Sequence, residues 1–224
     1  MLKENLEKVF LDIKNGNNLG EKITLVGATK TISPEIINQA VELGLDYVAE
    51  NKVNEFREKH DKIVNAKQHF IGHLQTNKVK YIVGKVDLIH SVDSLHLANA
   101  ISNECIKKGL SQDILIQINI GQEEQKSGLS PDTAIKEIQE ISKLQNINIR
   151  GLMAMLPLTD DALLQKELCI KMRELFDKLK ALGYNMDYLS VGMSADYKIA
   201  IQNGSNMIRL GSTIFGKRNY GGNP

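Results

Sequence analysis

The sequence predicts an α/β protein: a single (β/α)8 TIM barrel with an extra N-terminal helix. Three observations carry that prediction. Eight short apolar runs recur along the chain, longer amphipathic stretches separate them, and no G-x-G-x-x-G turn follows any of the runs. Strict alternation of strand and helix implies right-handed βαβ units. The missing glycine turn removes the best support for the alternative, an open doubly wound sheet. Several runs are apolar throughout, as expected of strands covered on both faces of a parallel sheet. A chain of 224 residues lies toward the small end of the range for such barrels. No linker, repeat or low-complexity stretch interrupts it, so residues 1–224 are read as one domain.

Residues 2–15 set Lys3, Glu4, Glu7 and Lys8 against Leu2, Leu6, Val9 and Phe10, the pattern of an amphipathic helix with no strand before it. The strands are then expected at Ile23–Thr29, Tyr47–Asn51, His69–His73, Leu88–Val92, Asp113–Ile120, Ile149–Met155, Tyr188–Gly192 and Met207–Gly211. Ser33-Pro34-Glu35 opens a helix with a capping serine and a first-turn proline, and Gly44 closes it. Ser130-Pro131-Asp132 repeats that start for a helix to about Leu144, and 160–182 is the longest, ending before Gly183. Shorter helices are expected after Asn51, His73, Ser91 and Ser194. Only a glycine-rich tail, Phe215 to Pro224, follows the eighth strand. No proper eighth helix is expected to cover that strand, so the N-terminal helix should fill the vacant place in the outer ring.

Composition narrows the function. A net charge of +1 argues against nucleic-acid binding, and the absence of Trp argues against a base-stacking platform. No apolar run is long enough to span a membrane. The amphipathic N-terminus is not a signal peptide, so the expected location is the cytoplasm. Cys105 and Cys169 sit in helical patterns without paired metal spacing, which reads as reduced core thiols and no metal site.

Barrels build their sites from the C-terminal ends of the strands. Here those ends carry Lys30, Asn51, His73, Ser91, Asn119, Met153 to Met155, Ser194 and Arg209 to Ser212. Lys30 ends an inward column with Val26 and Ala28; it is either one solvated lysine among many or a half-desolvated amine able to attack a carbonyl. Gly192-Met193-Ser194 and Gly211-Ser212-Thr213 follow the last two strands, where such barrels often hold phosphate; each also reads as an ordinary cap or turn. Arg209 shares a face with Gly211, so it is either buried in an ion pair or turned to a ligand. An amine, a phosphate cradle and a guanidinium for a ring nitrogen together describe a site for pyridoxal 5′-phosphate.

Ala28-Thr29-Lys30, Glu50-Asn51, the run His69 to Lys78, Ile89 to Asp93, Lys126-Ser127-Gly128, Gly151-Leu152-Met153, Gly192-Met193-Ser194 and Arg209-Leu210-Gly211 occur in order over nearly the whole chain. In these motifs the chain resembles the pyridoxal-phosphate homeostasis proteins (the YggS/PROSC type). The resemblance implies a barrel like the N-terminal domain of alanine racemase and a Schiff base between Lys30 and the cofactor. It also implies Arg209 at the pyridine nitrogen, the phosphate on Ser194, Gly211 and Ser212, and Asn51 and Met193 lining the ring. Three positions depart from the family pattern: Ala49 for a frequent glycine, His73 for a common proline, and Ser212 for a frequent threonine.

Two functions follow: a cofactor carrier or buffer in vitamin B6 and amino-acid homeostasis, or a fold-type-III enzyme such as an amino-acid racemase. Racemisation needs an acid/base on each face of the substrate carbon, and Lys30 serves one. In alanine racemase a separate domain and the partner subunit supply the other. This chain ends at Pro224, just after the eighth strand, where His73 and Tyr220 are the local substitutes and Tyr220 reads as a tail residue. The expectation is therefore a non-enzymatic carrier, monomeric, in transient contact with recipient apoenzymes, and binding neither nucleic acid nor membrane.

Overall fold

The computed structural model describes residues 1–216. Eight parallel strands close into a barrel in sequence order. They are β1 (Thr24–Ala28), β2 (Tyr47–Glu50), β3 (Lys67–Phe70), β4 (Leu88–Val92), β5 (Gln112–Ile118), β6 (Ile147–Ala154), β7 (Tyr188–Ser190) and β8 (Met207–Leu210). Each lies where an apolar run predicts one. Closure is seen at Val26, which pairs with Tyr47 on one side and Arg209 on the other. The strands leave the sheet one to three residues earlier than predicted at several C-terminal ends. At β3 the reason is steric: a Cβ on Gly72 would lie 1.9 Å from the carbonyl oxygen of Asn51, so the chain crosses the end of β2 there instead of continuing beside it.

The helices are α1 (Leu2–Ile13), α2 (Pro34–Glu42), α3 (Val53–Lys59), α4 (Leu95–Lys108), α5 (Ala134–Ile141), α6 (Ala162–Ala181), α7 (Tyr197–Gln202) and α8 (Ser212–Phe215). Three differ from expectation. The helix after Ser91 is not short: α4 has 14 residues, because Ser94 caps it by accepting from the Leu97 amide and Gly109 ends it in the left-handed region. Its polar residues Asn99, Ser102, Asn103 and Glu104 dilute the apolar period that would have announced it. The segment after His73 is a 3-10 helix, Thr76–Tyr81. Ser130 opens a turn closed by the Thr133 amide on its carbonyl, and α5 starts only at Ala134.

Alternation along the strands sorts the core. Val26, Ala49, Leu88, Leu115, Met153 and Met207 fill the barrel interior, whereas Ile208 and Leu210 face outward onto helices. Leu6 and Val9 of α1, each 1% exposed, pack into that outer layer with Ile208, Leu210 and Ile214. Burying each such side chain is worth roughly 1.5–3 kcal/mol. Asn5 donates to the carbonyl of Ile214 at 2.9 Å, and Tyr197 donates to Asp12 at 2.7 Å. The helix following β8 is a single turn, so α1 covers the seam between β8 and β1, as predicted. Both cysteines are buried thiols, with pKa values pushed by burial to about 11 at Cys105 and about 12 at Cys169. Among the described residues there is no helix long and apolar enough to cross a membrane and no His, Cys, Asp or Glu cluster fit for a metal.

Candidate functional site

The C-terminal mouth of the barrel holds a cavity of about 670 Å³. Lys30, Asn51, Met193, Ser194, Arg209, Gly211 and Ser212 all line it, so the structure brings together the seven residues expected to contact the cofactor.

Lys30 sits on a tight turn after β1 whose neighbours are gripped from behind. The Thr29 hydroxyl donates to Glu50 at 2.8 Å, and Lys59 donates to the Thr29 carbonyl at 3.0 Å. Lys59 also bonds Glu50 at 2.8 Å and Glu55 at 3.2 Å. The Thr31 amide donates to Glu55 at 2.8 Å, in a backbone with φ of 66°. A β-branched residue in the left-handed region is strained by roughly 1–3 kcal/mol, which the surrounding bonds must hold. Burial raises the pKa of Glu50, only partly offset by Lys59 and Thr29. Burial would raise Glu55 too, but the Thr31 amide and Lys59 outweigh it and hold that carboxyl below its ordinary value.

Arg209 enters from β8, next to β1, and is 4% exposed. Among the described residues it has no ion-pair partner. Nη1 donates to the carbonyl oxygen of Ser190 at 2.7 Å and to its hydroxyl at 2.5 Å, and Nη2 donates to the carbonyl of Ala154 at 2.9 Å. Burial lowers its pKa to about 10, with the charge of Asp196 opposing, so it stays a cation at neutral pH. The last two loops are tied together. The Ser194 hydroxyl accepts from the amides of Gly211 and Thr213, each at 3.3 Å, and Asp196 accepts from the Met193 amide at 2.6 Å. Gly192 has φ of 108°, and a Cβ there would sit 3.0 Å from the Tyr197 backbone, so this turn requires glycine.

His73 stands on the rim, its Nδ1 3.3 Å from Asp93. Ser91 and Asn119 are not among the cavity residues. Ser91 donates to the Gly72 carbonyl at 2.5 Å, and Asn119 binds the backbone of Glu123 and Lys126, so both shape loops around the mouth. Met153 lies in the barrel interior and Met155 reaches the cavity. Tyr220 lies outside the described residues. The sequence reading missed Gln117 on the wall and Ser190 beneath Arg209. It gave no role to His90, whose Nδ1 lies 3.2 Å from the Ser190 hydroxyl, or to His69, whose Nδ1 lies 3.0 Å from His90 Nε2. Their inward alternation on β3 and β4 was the available signal.

The arrangement offers an amine, a buried guanidinium, and a hydroxyl and amide cluster beside them at the ends of β7 and β8. It also offers the Asn51 side-chain oxygen, buried without a partner among the described residues. That set suits an anionic aromatic ligand bearing a carbonyl.

Residues 25–219 match the family model for the alanine racemase N-terminal domain. A pyridoxal phosphate homeostasis protein of Aquifex aeolicus is 40% identical over 97% of this chain and 95% of its own. The Escherichia coli K12 protein of the same name is 34% identical over 89% of this chain and 88% of its own. PipY of Synechococcus elongatus, solved with PLP bound, superposes with a TM-score of 0.85 at 28% identity, over 96% of this chain and all of that one. An alanine racemase of Clostridium difficile shares the fold at a TM-score of 0.75 and 19% identity, over 98% of this chain and 57% of that one.

Proposed function

Because the chain belongs to the pyridoxal phosphate homeostasis proteins, built on the alanine racemase N-terminal-domain barrel, we propose that it binds pyridoxal 5′-phosphate through Lys30 and carries or buffers it. One observation carries the reading: Lys30, on the turn after β1, and Arg209, on the adjacent strand β8, line the same cavity as the Ser194–Gly211 cluster. When bound, the cofactor supplies an aldehyde that a primary amine captures reversibly, a ring nitrogen and a phosphate.

Lys30 supplies the amine for a Schiff base, on a turn whose position does not depend on the ligand. Arg209 donates toward the ring nitrogen. Ser194, Gly211 and Ser212 hold the phosphate where hydroxyls and amides converge. Asn51, whose buried oxygen has no partner among the described residues, and Met193 flank the ring. A guanidinium that keeps its charge disfavours a proton on the ring nitrogen, which weakens the ring as an electron sink and suits holding over turnover. We place this role in residues 1–224 as one domain, a cytoplasmic monomer that meets recipient apoenzymes transiently. Its relatives are named as homeostasis proteins, which favours the carrier over the racemase.

The test is reconstitution followed by borohydride reduction and peptide mapping. The protein should gain visible absorbance, with the fixed label on the Lys30 peptide. A colourless protein defeats cofactor binding, and a label confined to another lysine defeats the role of Lys30. Turnover of any L- or D-amino acid by the loaded protein would restore the racemase reading.

A further inference from the structure

Beneath the cavity runs a line of buried polar groups that the proposed function does not use. Ser190, His90 and His69 are each at most 3% exposed, and they connect in series below Arg209. The direction of their bonds follows from one end. A guanidinium only donates, so the Ser190 hydroxyl accepts from Arg209. Its own proton then needs an acceptor, and His90 Nδ1 lies 3.2 Å away. A nitrogen that accepts carries no proton, so His90 keeps its proton on Nε2, which points to His69 Nδ1 at 3.0 Å. His69 Nδ1 is therefore bare as well. The reverse order would leave the buried hydroxyl proton of Ser190 without an acceptor, which buried groups rarely tolerate. Burial also keeps both rings neutral: it holds His69 down to about 3, helped by Lys67, and His90 well below its ordinary value, helped by His69 and Arg209.

We infer that Ser190, His90 and His69 form a one-way hydrogen-bond chain that positions Arg209 as a fixed donor toward an unprotonated ring nitrogen in the cavity. The inference rests on the pyridoxal phosphate reading above. Among the described residues, the three bonds to Ser190 and Ala154 leave Nε–H and the second Nη2–H of Arg209 for a ligand. All the acceptors in those bonds are neutral, and the Asp196 carboxylate acts on the guanidinium through its field, not as one of those acceptors. Ser190 and His90 act through Arg209 as positioning residues and touch no ligand themselves.

Nitrogen-15 NMR of the histidine-labelled protein without cofactor reads the first half directly. Both rings should carry their proton on Nε2 at neutral pH; a proton on His90 Nδ1 overturns the chain. Loading with pyridoxal phosphate reads the second half. His90→Phe should move the visible band and weaken retention by up to about tenfold. His90→Asn, whose oxygen can accept where Nδ1 does, should stay nearer to wild type in both. Should the phenylalanine variant not fold, Ser190→Ala tests the same link. Wild-type band and retention in His90→Phe and Ser190→Ala overturn the positioning role. A wild type that takes up no cofactor overturns the function reading together with that role, and shows this before any variant is made. The histidine protonation pattern is read independently of it.

Discussion

Two basic side chains line one cavity from adjacent strands, and the barrel holds them by opposite means. Around Lys30 the backbone is held by an ionic cluster: Glu50, Lys59 and Glu55 bind the backbone and hydroxyl of Thr29 and the amide of Thr31 on either side of it. Around Arg209 the grip is neutral and direct, with Ser190 and Ala154 accepting from the guanidinium itself. Under the proposed function the difference matches two tasks. For a group that makes and breaks a bond, holding the backbone on either side sets where its amine stands. A group that only orients a ligand can be bound at its own donors.

The sharpest way to break this comparison is to remove Lys59. Lys59→Met leaves Glu50, with its side chain 3% exposed, as a buried carboxylate without its cation. The expected loss is about 3–5 kcal/mol in urea unfolding, and Lys59→Arg should lose much less. Wild-type stability in Lys59→Met would mean that the ionic cluster does not hold the turn. Arg209→Met is the counterpart. It strips donors from two carbonyls and a hydroxyl but orphans no charge, so it should cost about 1–3 kcal/mol. If Arg209→Met proved the more damaging, the contrast between the two grips would be wrong.

Acid sharpens the comparison next. Glu55 lies below its ordinary value of 4.5, so its contribution is complete above that pH and is lost as pH falls through its lowered native pKa. Glu21, whose burial is outweighed by Arg173 and Asn17, has the same sign. Glu50 is opposite: its pKa is raised, so its ionisation works against the fold as pH rises through that raised value. The urea midpoint of the wild type should therefore fall between about pH 6 and about pH 3. Lys59→Met should fall less over that span, because Glu55 loses part of its depression and Glu50 gains from protonation. Equal slopes would separate Lys59 from both carboxyls. The smallest effect is expected at Thr31. Thr31→Gly relieves the strain at φ of 66° at the cost of glycine's freedom in the unfolded chain, for a net gain of about 0.5–1 kcal/mol. A loss instead would mean that the threonine side chain contributes more than its backbone costs.

The elements that carry these two grips were unequally legible in the sequence. β1 and β8 announce themselves as apolar runs, and alternation alone places Lys30 and Arg209 on inward faces. The N-terminal helix was assigned its place by counting, since eight strands with one missing cover leave one position for it. The ionic cluster was not legible, because Glu50 and Lys59 belong to different elements and meet only where α3 packs over the turn. The Ser190–His90 contact joins residues 100 apart. It depends on the relative register of β4 and β7, strands that are not neighbours in the barrel. Local pattern fixes which way a side chain points; it does not fix which side chain across the barrel it meets.

The placement of α1 bears on how the protein reaches its native state. The helix that leads the barrel finds its partners in the turn after the last strand, as the bond from Asn5 to Ile214 shows across 209 positions. During synthesis α1 leaves the ribosome long before β8 exists, with the side chains of Leu6 and Val9 lacking their final cover. The seam between β8 and β1 can therefore seal only after translation has passed Ile214, and such distant pairing is slow because the loop must close before any contact rewards it. The two strands joined at that seam carry Lys30 and Arg209. Ligand-binding competence should thus wait on the closure of that seam, which ties cofactor uptake to a chain synthesised past Ile214.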